Sequence, residues 1–192
     1  MSKLWERGQE GGITRPINRD ALYKNLKDVY EVFQEHGIKC WLSHGTMLGV
    51  YRDGDFIPWD DDADVGADIR TADRRLEAEE KLRDMGFFVP QIGDRTRPVS
   101  EVDNMPYHDT VAIRDGEKIE VWWYEKIGDK YVYDVDRHAW LQHPEKYYDT
   151  LATIDFKGTH FNIPSHIEQW LEMMYSSDWN VPQEGRKYNN QG

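Results

Sequence analysis

The chain has 192 residues, with 24 Lys and Arg against 36 Asp and Glu, and a formal net charge of −12 at pH 7. An acid excess of this size argues against a nucleic-acid-binding module, which needs a basic face to neutralise phosphates. Aromatic residues make up 13% of the chain, which excludes a disordered acidic tail, and a single cysteine, Cys40, excludes both a disulfide framework and a cysteine-based zinc site.

Apolar runs fall far short of the roughly 18 residues that span a bilayer. Residues 1–10 carry no apolar stretch of signal-peptide type. The expectation is one globular domain without a transmembrane segment, placed in the cytoplasm.

In chain order, residues 1–16 read as an N-terminal arm, because Gly8, Gly11, Gly12 and Pro16 show no periodicity. Leu22, Leu26, Val29, Tyr30 and Phe33 lie on one face of a helix predicted over 17–36, with Gly37 at its end. A short strand follows over 38–43, then a turn at His44-Gly45-Thr46 and a short helix from Thr46 to Tyr51. Residues 52–59 read as a loop. Residues 62–68 alternate Asp62, Asp64 and Gly66 with Ala63, Val65 and Ala67, a period of two that marks a strand. Thr71 is positioned to cap a helix running to Met85, with a brief strand over 87–89 and a long loop over 90–108. Asp115-Gly116 predicts a hairpin between strands 109–114 and 118–124. Another strand is expected over 131–135, and an irregular aromatic stretch with a short helix near Pro144 over 136–148. Lys157-Gly158 predicts a second hairpin between strands 153–156 and 159–163. Ser165 and Glu168 form a capping-box pattern that opens a helix through Ile167, Trp170, Leu171 and Met174, and residues 183–192 read as a polar tail.

Three features carry chemistry. Gly45 and Thr46 form a strand-to-helix turn whose backbone N–H groups and hydroxyl suit a phosphate. Asp62 and Asp64 stand at i and i+2 of one strand, so both carboxylates face the same way, an arrangement that a divalent cation relieves; a solvated acidic surface is the alternative. They belong to a run of seven aspartates between Asp53 and Asp68 that contains no Lys or Arg. Glu120 interrupts an apolar strand, with Trp122 on its own face and Ile119, Val121 and Trp123 on the other; it is either exposed to solvent or paired with a cation.

The run Trp41-Leu42-Ser43-His44-Gly45-Thr46-Met47-Leu48-Gly49-Val50-Tyr51-Arg52, followed by Phe56-Ile57-Pro58-Trp59-Asp60-Asp61-Asp62-Ala63-Asp64-Val65-Gly66, resembles the signature of the LicD/fukutin family. Ile119-Glu120-Val121-Trp122 resembles its third acidic position, and Phe161-Asn162-Ile163-Pro164 with Asp178-Trp179-Asn180-Val181-Pro182 its C-terminal stretch. The resemblance covers roughly residues 20 to 182. His44 stands where the family more often has Gly or Ser, and Glu120 where it more often has Asp.

The resemblance implies a fold of α+β class, a nucleotidyltransferase-like mixed β-sheet flanked by helices, in one domain over residues 17–182. It implies a metal-dependent phosphotransferase that moves a phospho-alcohol, of phosphocholine or ribitol-phosphate type, from a CDP-linked donor such as CDP-choline to a hydroxyl of a glycan acceptor. Asp62, Asp64 and Glu120 would hold Mg²⁺ or Mn²⁺ and serve catalysis, and Gly45, Thr46 and Arg52 would meet the substrate, with a salt bridge to one of the surrounding aspartates as the equal alternative for Arg52. Asp60 and Asp61 would support the site, and Trp122 packs in the core or stacks on a base or sugar. The alternatives are an NTP-dependent nucleotidyltransferase acting on a small molecule or protein, and a non-enzymatic metal-dependent glycan-binding module.

Overall fold

A computed structural model of the chain describes residues 17–90, 110–134 and 140–184. The expected arm over 1–16, all but Pro90 of the loop expected over 90–108, and the tail beyond 184 lie outside them.

Helix α1 (Arg19–Glu35) begins where the Asn18 side chain accepts a hydrogen bond from the Ala21 N–H, satisfying one of the free donors of the first turn. Its apolar face, Leu22, Leu26, Val29, Tyr30 and Phe33, is buried as the periodicity predicts. Strand β1 (Cys40–Leu42) is shorter than expected, and helix α2 (His44–Asp53) starts two residues early and runs into the expected loop. Gly54 closes α2 in the left-handed region (φ 69°), which glycine enters without a Cβ clash. Strand β2 (Asp62–Asp68) matches its prediction.

Thr71 caps no α-helix. Its hydroxyl donates to the Asp68 carbonyl at the end of a short 3₁₀ turn (Ile69–Thr71), and α3 (Arg75–Asp84) begins later. The strand expected over 87–89 is reduced to one bridge, Phe88 to Ile113. Strands β3 (Thr110–Arg114) and β4 (Glu117–Ile127) form the first hairpin, with Asp115 and Gly116 both at positive φ (53° and 77°), as a two-residue turn of this hand requires. Strand β4 continues past Tyr124 to pair with β5 (Lys130–Asp134), which in turn pairs with β6 (Trp140–Pro144), a strand where an irregular stretch was expected. A 3₁₀ turn (Glu145–Tyr147) follows, then the second hairpin, β7 (Leu151–Phe156) and β8 (Thr159–Pro164), and α4 (Ile167–Tyr175). The expected capping box does not form: Ser165 donates to the Thr150 carbonyl, and His166 precedes α4 in the left-handed region (φ 53°).

The architecture is a single α+β domain around one mixed, six-stranded sheet in the order β1-β2-β4-β5-β6, with β3 on the other side of β4's first half. Strand β4 runs parallel to β2 and antiparallel to β3 and β5. Helices α1, α2 and α3 pack around this sheet, and the β7–β8 pair lies against β1. The core is rich in aromatics: the Trp41 ring meets Tyr124 and Tyr148 at centroid distances of 5.1 and 4.8 Å. Gly66, opposite Trp41 in the β1–β2 register, leaves the space that the indole fills. Among the described residues no helix is long and apolar enough to cross a membrane.

Candidate active site

The parallel pairing of β2 with β4 builds the site. Its register sets Asp62 beside Lys118, Asp64 beside Glu120 and Gly66 beside Trp122. Side chains two apart on a strand share a face, so Asp62 and Asp64 from β2 meet Lys118, Glu120 and Trp122 from β4. One carboxylate oxygen from each of Asp62, Asp64 and Glu120 lies within 4.8 Å of the other two. These are the three acids that the resemblance picks out. Asp60, Asp61 and Asp62 form a second group of the same tightness at the entrance to β2.

The carboxylates are crowded at some cost. Asp64 is buried, and burial followed by the charges of Asp62, Asp60 and Glu120 holds its carboxyl well above the usual range. Burial, then the charges of Asp62 and Asp61, pushes Asp60 up to about 7. Burial also raises Glu120, against the opposing charge of Lys118. Burial alone would lower the Lys118 ammonium, but Asp62, Glu120 and Asp64 outweigh it and the net shift is upward. A set of hard oxygen donors that repel one another suits a divalent cation such as Mg²⁺ or Mn²⁺, and the residues present fit that group.

The scaffold holds the acids from several sides. The Thr46 hydroxyl accepts from the Asp64 N–H at 2.7 Å, and the Ser43 N–H donates to the Asp64 carbonyl at 3.1 Å, which ties the start of α2 to β2. Thr46 is therefore buried and engaged with β2. Gly45 lies against the acids: a Cβ there would collide with the Asp60 carboxylate and stand 3.8 Å from Asp64 Oδ2. The other oxygen, Asp64 Oδ1, accepts from the Trp122 indole N–H at 3.0 Å.

His44 heads α2 with φ 43°, a conformation that costs a non-glycine residue about 1–2 kcal/mol. Its buried ring lies 5.0 Å from the Trp122 ring and shares a 2.9 Å hydrogen bond with the Tyr133 hydroxyl. Arg52, expected at the substrate, is held by Asp53 at 2.6 Å and donates to the Trp179 carbonyl. Asp55 pairs with Arg19 and Lys157, and Asp68 with Arg70. The cation that does reach the triad is Lys118, 2.5 Å from Asp62 and 3.4 Å from Glu120. Its place two residues before Glu120, on the same strand face, is the sequence signal for it.

A family model described as LicD/FKTN/FKRP, nucleotidyltransferase domain, matches residues 37–166, more than half of the chain. Mouse ribitol 5-phosphate transferase FKRP is 28% identical over 180 residues, covering 86% of this chain and 33% of its own length. Human ribitol-5-phosphate transferase FKTN is 22% identical over 169 residues, covering 84% and 34%. The chain thus spans about a third of the length of these curated relatives. The solved structure of antibiotic-resistance factor ANT(2'')-Ia is 15% identical, with a TM-score of 0.49 over 77% of this chain and 66% of its own. With its signature run in α2 and β2 and its acids on adjacent strands, the chain belongs to the LicD/FKTN/FKRP family and carries that family's nucleotidyltransferase domain.

Proposed function

We propose that the chain is a metal-dependent phosphotransferase that moves a ribitol-phosphate-type phospho-alcohol from a CDP-linked donor to a hydroxyl of a glycan. The observation that carries this reading is the β2–β4 register, which brings Asp62, Asp64 and Glu120 within 4.8 Å of one another from two strands. The names of the FKRP and FKTN relatives support the ribitol phosphate. The family's nucleotidyltransferase domain supports a nucleotide-linked donor.

Asp62, Asp64 and Glu120 would hold Mg²⁺ or Mn²⁺. Such a cation, when bound, neutralises charge on the donor's pyrophosphate as the phosphoryl group transfers. Asp64, anchored by Trp122 and Thr46, fixes the floor of the site. The Glu120 side chain is more exposed than that of Asp62 (22% against 12%), and Asp64 is buried, so Glu120 is the carboxylate assigned to take the proton from the acceptor hydroxyl. The acceptor oxygen forms a bond to the distal phosphorus while the bond to the departing CMP breaks. Half-buried Asp60, over Gly45, keeps the near side of the site polar and narrow.

Thermal shift with CDP-ribitol and CDP-choline, each with Mn²⁺ or with EDTA, tests the reading. CDP-ribitol should raise the melting temperature only with Mn²⁺, by mass action, and Asp64→Asn should lose the effect. Equal shifts in wild type and Asp64→Asn, with and without EDTA, would overturn it. So would turnover of CTP or ATP with pyrophosphate release and no transfer from a CDP-linked donor.

A further inference from the structure

Lys118 occupies a position in the site that the acids alone do not explain. Its ammonium bridges Asp62 Oδ2 at 2.5 Å and Glu120 Oε2 at 3.4 Å. Both carboxylates belong to the Asp62–Asp64–Glu120 triad that would hold the metal. The register makes this placement a built feature: Lys118 is the direct β4 neighbour of Asp62, and Glu120 follows two residues later on the same face. The side chain as a whole is 32% exposed.

Other cations around the acidic run are committed elsewhere. Arg52 pairs with Asp53, Arg19 and Lys157 with Asp55, and Arg70 with Asp68. Among the described residues, Lys118 is thus the positive side chain seen on the triad itself. A divalent cation and an ammonium that share the same two carboxylates repel each other and compete for the same oxygens. The ammonium is carried on a flexible four-carbon stem. Displaced from Asp62 and Glu120, it stays within the site, and the new anion that enters there is the donor's phosphate.

We propose that Lys118 couples the two binding events of this site: its ammonium neutralises Asp62 and Glu120 until a divalent cation takes them, and then turns to the phosphate of the nucleotide-linked donor. This rests on the reading of the site proposed above. It makes Lys118 a phosphate-binding residue and sets an order, cation before nucleotide. Coupling of this kind is reciprocal, so the donor also favours the cation.

Opposite effects of one substitution on two ligands provide the test. Mn²⁺ affinity is measured by electron paramagnetic resonance without nucleotide, and CDP affinity by calorimetry at saturating Mn²⁺. Lys118→Gln should bind Mn²⁺ roughly tenfold more tightly than wild type and CDP roughly tenfold more weakly. Lys118→Arg, which keeps the charge, should restore most of the CDP affinity. Mn²⁺ binding by Lys118→Gln that is no tighter than wild type, or CDP binding that is no weaker, would overturn the coupling while leaving the metal site intact. Wild type that binds no Mn²⁺, or that matches Asp64→Asn, would overturn the reading of the site and this inference with it.

Discussion

Trp122 donates its indole N–H to Asp64 Oδ1 at 3.0 Å, so a residue of β4 sets the orientation of the most buried of the three clustered acids. The ring is itself held, 5.0 Å from His44 and 6.1 Å from Tyr133. One oxygen of Asp64 is thus committed to the scaffold, and Oδ2 faces Gly45 and the other acids. Trp122→Phe keeps the ring and removes the donor. With Asp64 as a metal ligand in the proposed function, it should lower Mn²⁺ affinity or turnover by about 10–100-fold, the usual cost of losing a hydrogen bond behind such a ligand. Melting temperature should move little, because the apolar contacts with His44 remain. Unchanged metal affinity and turnover would show that Asp64 holds its orientation without Trp122.

Gly45→Ala separates stability from function. Alanine is favoured over glycine inside a helix by about 1 kcal/mol, and Gly45 lies in the first turn of α2. The new Cβ meets the Asp60 carboxylate, the mobile end of a side chain, so the acid shifts and the fold tolerates the change. The melting temperature in EDTA should stay level or rise, while stabilisation by Mn²⁺ with CDP falls at least severalfold. Loss of the fold would mean that Asp60 is rigidly held.

The acids were legible in the sequence because each announced itself locally. Asp62 and Asp64 spend two same-face positions of a strand on charge, and Glu120 breaks an apolar run. What brings them together is the parallel register of β2 with β4, a non-local pairing that no single segment encodes. Lys118 was missed for that reason: alone it is an ordinary hairpin residue, and only the register puts it beside Asp62. Strand β6 was missed likewise, since its case rests on pairing with β5. The two expected helix caps fail on position. The Thr71 oxygen accepts from the Lys39 N–H and α3 starts four residues later, after Arg74, while His166 and not Ser165 stands at the N-cap position of α4. For Arg52 the sequence leaves a phosphate contact and a salt bridge to a nearby aspartate equally open, and the adjacent Asp53 takes it.

Gly66→Ala should damage the fold rather than the chemistry. A Cβ at position 66 would run into three atoms of the Trp41 indole. That ring is fully buried and boxed in by Tyr124, Tyr131 and Tyr148, so it has little room to retreat. Overpacking of this kind costs about 3 kcal/mol, or a fall of about 6–12 °C in melting temperature for a chain of this size. Circular dichroism melts would show it, and a shift under 2 °C would mean that Trp41 repacks.

Two buried histidines predict how acid acts on the protein. Burial, then the neighbouring His143, lowers His44 to about 3, and burial lowers His143 to about 3. His44 is lined by Trp122 and Tyr133; His143 is lined by Tyr124, Tyr133, Tyr148 and Trp170. The Trp170 N–H donates to the Tyr148 oxygen, and the Tyr148 hydroxyl shares a further hydrogen bond with His143 Nδ1. An unfolded histidine gains its proton near 6.5. The folded pKa values are depressed, so stability is complete above 6.5 and is lost as pH falls toward 3, by about 2 kcal/mol per histidine at pH 5. The acid cluster works in the opposite sense. Asp60, raised to about 7, stays protonated in the fold while the unfolded chain ionises near 4, so its penalty grows as pH climbs between those values. The histidine contribution is therefore read as a difference. Between pH 7.5 and 5, His143→Gln should lose about 2 kcal/mol less than wild type in urea melts. Parallel pH profiles for the two proteins would mean that His143 takes up its proton without leaving the core.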